Sequence, residues 1–269
     1  MTLFDEEAQP VPTPSRRVRA LVAYDGSGFS GFAAQLQPEV RTVAGEITAS
    51  LRKVLGHPVD LAVAGRTDKG VHARGQVVSF DVLDGTDLGV VEKSLLKMLG
   101  PRIVVSSLEL APPEFHARFS ATSRLYRYTV LNRAVPDPFL APTAWWVADP
   151  LPLDLAGMRA ACDPLIGEHD FSAFCRRPDA DADLTRRVTD ARWEEAGDGV
   201  LHLWIQANAF CHQMVRSVTA VLVDVGRGRR NVADVTRILR SRDRAAGPSP
   251  APPHGLCLWE VRYDGVRRG

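Results

Sequence analysis

The chain has 269 residues, 45% of them hydrophobic, enough for one large domain or two of ordinary size. No apolar run approaches the roughly 18 residues that a membrane-spanning helix needs, so no membrane partner is expected. A formal net charge of +1 neither announces nor excludes a polyanionic partner, because a basic face can coexist with acidic loops.

Residues 1–15 hold Asp5, Glu6, Glu7 and three prolines, with neither a basic nor an apolar leader region. They read as a disordered tail, and the protein as cytoplasmic. Residues 17–24 alternate in polarity and end at Asp25-Gly26, a strand leaving into a turn. Val43, Ile47, Leu51, Val54 and Leu55 recur at helical spacing, with Thr42 placed to cap the helix and Gly56 to stop it. Strands are expected at 59–64 and 76–82, a helix through Val91, Leu95, Met98 and Leu99, and a strand at 103–110. The order β-α-β-β-α-β is the ferredoxin-like pattern.

The second half repeats the pattern without repeating the sequence. A tyrosine-rich strand is expected at 124–132, a weak helix at 155–166, and a hairpin of 187–194 and 200–208 around Gly197-Asp198-Gly199. Met214, Val215, Val218, Val221, Leu222 and Val225 mark the most periodic helix, followed by a helix at 232–239 and a strand at 256–263. The expected fold class is therefore α+β, two ferredoxin-like halves sharing an extended, mainly antiparallel sheet with a central cleft. Domains are expected at 16–112 and 113–265, and residues 176–187 as an exposed loop.

Four scattered cysteines without a C-x-x-C pair and seven dispersed histidines offer no disulfide framework and no metal-ligand spacing. Gly26-Ser27-Gly28-Phe29-Ser30-Gly31 matches the dinucleotide fingerprint G-x-G-x-x-G, but its context fails. Pro38 interrupts before any helix develops, and Glu46, at about the distance of the expected ribose-binding acid, falls inside a helix. No nucleotide cofactor is expected; glycines that let the backbone approach a partner explain the loop better.

Between two expected strands lies Gly65-Arg66-Thr67-Asp68-Lys69-Gly70-Val71-His72-Ala73. A lone aspartate in a loop ordinarily forms a turn. Here Arg66 and Lys69 accompany it, able to neutralise the carboxylate or hold phosphates, where an α+β sheet presents residues to a cleft. Tyr126 and Tyr128 share one strand face, since side chains alternate with period two, and Arg124 and Arg127 flank them. They are either packing residues or a platform for a base. Arg216 lies on an apolar helical stripe and asks for an anionic partner, for which Asp68 is suitable. Between 209 and 244 there are eight arginines against three aspartates, and Arg16, Arg17 and Arg19 form a smaller cluster. Either is a solvated surface or a phosphate-binding one.

Taken together these segments resemble the A-type tRNA pseudouridine synthases, the TruA family. The matches are Tyr24-Asp25-Gly26 with Phe29 and Gly31, the segment from Gly65 to Ala73, Phe115-His116-Ala117-Arg118-Phe119, and Arg124 with Tyr126 and Tyr128. His169-Asp170-Phe171, Phe210 with Met214-Val215-Arg216, and Gly255-Leu256 follow in family order. The chain departs from the family pattern at Phe32, Ala33, Ala44 and Thr219. The resemblance implies an isomerase that detaches uracil from its ribose, rotates it and reattaches it through C5. Asp68 would be nucleophile or base, Arg216 its ionic partner, and Tyr126 the stacking residue, able also to take the C5 proton. Arg66, Lys69, His72 and Arg124 would bind substrate. The resemblance further implies uridines 38, 39 and 40 of the tRNA anticodon arm as targets, a homodimer, and no cofactor or metal. The alternative is a non-catalytic RNA-binding module with the same duplicated fold.

Overall fold

The computed structural model describes residues 15–35, 37, 40–149, 152–177, 181–247 and 249–264. The expected tail, apart from Ser15, lies outside the described residues, as do Pro38 and part of the loop at 176–187.

The first half comprises β1 (Ser15–Tyr24), α1 (Val43–Leu55), β2 (Ala62–Val63), β3 (His72–Leu83), α2 (Leu88–Leu99) and β4 (Ile103–Leu110). Local chemistry sets the ends of α1. The Thr42 side chain accepts from the Gly45 amide, and Gly56, at φ 78, supplies the left-handed turn that stops the helix. Val43, Ile47 and Leu51 are buried on one side of α1, and Val91, Leu95 and Leu99 on one side of α2, as the apolar spacing requires.

The second half comprises β5 (Ala121–Leu131), β6 (Trp145–Trp146), α3 (Leu155–Ala160), β7 (Gly167–Asp170), β8 (Thr185–Gly197), β9 (Val200–Ala207), α4 (Met214–Gly226), α5 (Val232–Ser241) and β10 (Leu256–Tyr263). The weak helix expected at 155–166 closes after Ala160, and a 3₁₀ turn at Asp163–Leu165 follows it. Gly197, Asp198 and Gly199 all adopt positive φ, which closes the β8–β9 hairpin. Eleven of the thirteen residues of α4 are buried, so this helix is a core element covered on nearly every side, not a surface one.

One sheet runs through both halves in the order β4-β1-β3-β10-β5-β9-β8-β7, with β2 on β3 and β6 on β5. Within it, β4-β1-β3-β2 and β10-β5-β9-β8 each show the ferredoxin-like strand order, so the pattern read from the sequence is present twice. The halves meet through β3 and β10, which run parallel at Cys257↔His72 and Leu258↔Ala73.

That junction positions the site. β1 occupies one edge of β3, and the other edge is shared by β10 at residues 72–73 and β2 at residues 78–79. Of the strand expected over 59–64 only Ala62 and Val63 pair with β3, and β10 takes a separate stretch of the same edge at residues 72–73. The chain leaves the sheet at Gly65, where the Gln76 side chain replaces the missing strand partner. It accepts from the Gly65 amide at 3.3 Å and donates to the Gly65 carbonyl at 2.6 Å. Where the edge forks, a cleft opens.

Candidate active site

The loop from Gly65 to Val71 crosses the mouth of the fork and is held from beneath. The buried Tyr24 and Thr67 hydroxyls lie 2.7 Å apart, the Phe32 amide donates to the Thr67 carbonyl at 3.1 Å, and the Val71 amide donates to the Asp68 carbonyl at 3.1 Å. The glycine-rich segment 26–31 serves this loop. A Cβ on Gly26 would stand 2.1 Å from the Val71 carbonyl oxygen, and one on Gly31 would stand 2.9 Å from that of Thr67. Close backbone approach is thus the reason for the glycines, and the partner is the aspartate loop itself.

Facing the loop is the start of α4. Gln213 takes the left-handed conformation, φ 66, and turns the chain so that His212 and the first helical turn face the cleft. Arg216 donates from one guanidinium nitrogen to Asp68 Oδ2 at 3.1 Å and from Nε to the Ala251 carbonyl at 2.7 Å. The pair is largely sheltered, with Arg216 14% and Asp68 24% exposed along the side chain. The guanidinium thus stands beside the carboxylate as its ionic partner. The second carboxylate oxygen is not idle: His212 Nε2 lies 3.2 Å from Asp68 Oδ1. Sequence reasoning missed His212, because it lies before α4 and only the left-handed turn at Gln213 swings it towards Asp68.

The cavity around this pair measures about 750 Å³, within the usual range for small-molecule pockets of about 300–1,000 Å³. Tyr126 forms part of its wall, with Phe210 packed edge-on against it at 5.0 Å between ring centres. Burial, with the nearby Tyr24 and the Asp68 charge, pushes the Tyr126 phenol well above its ordinary value. A phenol in that setting keeps its proton, which favours its use as a flat platform over its use as a base.

The expected site residues divide. Asp68, Arg216, Tyr126 and Arg66 line the cavity together, Arg66 as an exposed side chain at its mouth. Arg124 also lines it, but its guanidinium is spent on four backbone carbonyls, those of Ala64, Arg118, Ala121 and Asn208. It ties the loop, the inter-half segment and β9 together, and burial lowers its pKa. The structure thus makes Arg124 a strut, not a free anion ligand. His72 lies outside the wall and is buried. Its Nδ1 accepts from the Gly26 amide at 3.1 Å, and its Nε2 lies 3.1 Å from the Pro142 carbonyl, which leaves no ring nitrogen for substrate. Lys69 is exposed and outside the wall.

The arginine cluster is also reinterpreted. Arg227, Arg229 and Arg230 all lie within 4.0 Å of Asp224, and Arg237 pairs with Asp234. They gather around acids at the end of α4 away from Asp68 and on α5, and the arginines at the cleft besides Arg124 and Arg216 are instead Arg66, Arg118 and Arg186. Two departures from the family pattern fall in the core. Phe32 is 1% exposed and packs 5.9 Å from Tyr24, while Thr219 is fully buried and returns its hydroxyl to the Val215 carbonyl. Neither reaches a surface where RNA could lie.

Known proteins of similar sequence give the chain a family. The sequence pattern of the tRNA pseudouridine synthase family matches residues 20–120 and 161–264. A "tRNA pseudouridine synthase A" of Brevibacillus brevis is 40% identical over 250 residues, covering 92% of this chain and 100% of that protein. One of Listeria welshimeri is 40% identical over 254 residues, covering 92% and 99%. Among solved structures, a Cbf5-Nop10-Gar1 complex matches with 12% identity over 80% of this chain and 54% of the other, at a TM-score of 0.29. So loose a superposition adds nothing to the sequence match.

Proposed function

The chain belongs to the tRNA pseudouridine synthases and isomerises uridine to pseudouridine in tRNA, and from that premise we propose that its targets are uridines 38, 39 and 40 of the anticodon arm. The observation that carries the catalytic reading is the carboxylate of Asp68 held between Arg216 and His212 at the bottom of a cleft large enough for a nucleotide. A uridine inside a stem cannot reach that carboxylate, so the target must be extruded, and the exposed Arg66 at the mouth is placed to hold it out. Tyr126 then stacks on the uracil, Phe210 fixes the ring of Tyr126, and Asp68 acts at the ribose as nucleophile or base. The two halves work as the two walls of the cleft, residues 16–112 supplying the carboxylate and 113–265 the tyrosine and the arginine. The protein acts in the cytoplasm as a homodimer in which one tRNA contacts both subunits.

The test is pseudouridine mapping of anticodon arms after incubation of tRNA with wild-type protein and with Asp68→Asn. The amide keeps the shape of the side chain and removes its basicity and nucleophilicity. Conversion at positions 38–40 by the wild type and none by the variant, with tRNA still bound, is the expected result. Turnover by Asp68→Asn within about tenfold of wild type would remove Asp68 from the chemistry.

A further inference from the structure

The segment Phe115-His116-Ala117-Arg118-Phe119 ends in a residue at the rim of the cleft. Phe119 is 76% exposed, an unusual state for so large an apolar side chain, and it lines the same cavity as Asp68. It is also held in place. The Arg118 and Phe119 amides both donate to His116 Nδ1, at 3.1 and 3.4 Å. The His116 amide donates to Ser120 Oγ at 3.0 Å, and the Ser120 amide donates back to the His116 carbonyl at 2.9 Å. The His116 ring leans against that of Phe119 at 4.5 Å between centres, tilted by 35°, and the Arg118 guanidinium stands 5.4 Å from the Phe119 ring centre. A turn so closely bonded fixes the backbone that carries the phenyl ring, and the His116 ring on one side of it lowers the cost of ordering it on binding.

We propose that Phe119 is a stacking platform for a second base of the bound tRNA, one that flanks the extruded uridine, with Arg118 beside it to meet the neighbouring phosphate. Two flat surfaces then serve one strand. Tyr126, 7% exposed, belongs to the reacting uracil, and Phe119, at the rim, to the base that remains outside. Stacking suits this position because every base has a π-face, so a target whose neighbours differ in sequence is held equally well. A guanidinium next to an aromatic ring is likewise placed for the backbone rather than for base edges. Phe119 is thus a positioning residue: it fixes the register of the strand, and the chemical step remains with Asp68. This inference rests on the tRNA-modifying function, which wild-type turnover in the same assay checks separately.

The experiment compares wild type with Phe119→Ala, Phe119→Leu and Phe119→Trp on an anticodon-arm RNA. Phe119→Ala and Phe119→Leu should raise KM by roughly ten- to hundredfold while the single-turnover rate at saturating enzyme stays within about threefold. Phe119→Trp should restore KM to near the wild-type value, and its indole emission should be quenched when the RNA binds. The leucine is the decisive variant, because it keeps apolar bulk and removes the π-face. A Phe119→Leu protein with wild-type KM, or a Phe119→Trp protein whose emission ignores RNA, would overturn the proposal while active wild type left the function standing.

Discussion

Arg124 shows most plainly how an arginine's identity in a sequence differs from its use in a fold. Its position beside two tyrosines on a strand marks it for phosphate, and at 8% exposure it binds carbonyl oxygens instead. Lysine cannot reproduce this, since one ammonium cannot reach four acceptors arranged around a planar fork. Arg124→Lys should therefore lower stability by about 2–4 kcal/mol, as buried carbonyls lose their partners. Urea unfolding of the variant measures this directly, and an unchanged midpoint with a raised KM would return Arg124 to substrate binding. The central pair was legible for a related reason. A cation on an apolar stripe needs an anion, and the Gly-Arg-Thr-Asp loop offered one, 148 residues earlier in the chain. His72, expected to bind substrate only from the family resemblance, has both ring nitrogens occupied by the Gly26 amide and the Pro142 carbonyl. His212 and Phe119 were written in the sequence, but each owes its direction to a turn, at Gln213 and at 116–120, that apolar periodicity does not reveal.

At the level of elements, the sequence carried local chemistry well and pairing poorly. The Thr42 cap, the Gly56 stop, the Gly197-Asp198-Gly199 turn and the apolar period of α4 are decided within a few residues, and each stands where it was read. β2 is shorter than the apolar run at 59–64 suggests, pairing with β3 only through Ala62 and Val63. β7, on the outer edge of the sheet, was not anticipated either; four residues carry too short an alternation to stand out. The glycine-rich segment lies between these cases, with its need for close approach visible and its partner hidden. A methyl on Gly26 would collide with the backbone of Val71, which no rotamer can relieve. Gly26→Ala should cost about 2–3 kcal/mol and slow turnover more than tenfold by displacing the aspartate loop. Thermal unfolding and single-turnover kinetics on one preparation test both, and a stable variant of full activity would mean that the two loops are not coupled.

For the molecule as a whole, the fold class was legible and the way its halves are joined was not. Two β-α-β-β-α-β runs follow from periodicity alone, but nothing in the periodicity of β3 or β10 says that they lie side by side and parallel. The homodimer proposed for tRNA binding is also a statement at this scale. Sedimentation of the protein at micromolar concentration should give twice the chain mass of 29.4 kDa. A single 29.4 kDa species, with tRNA bound one to one, would require each subunit to act alone.

The position of β10 has a consequence in time as well as in space. It is the last strand described, and it lies between β3 and β5, so both walls of the cleft lean on it. On the ribosome the first half can form β1, β3 and β4 and display the aspartate loop long before residues 256–263 emerge. Until then β3 has one edge bare beside the future cleft, and the carboxylate lacks the Ala251 carbonyl that orients its arginine. Closing a contact between residues 72 and 257 is slow compared with forming a local helix. A chain in which β10 has not docked should therefore fail to modify tRNA even with its aspartate loop formed.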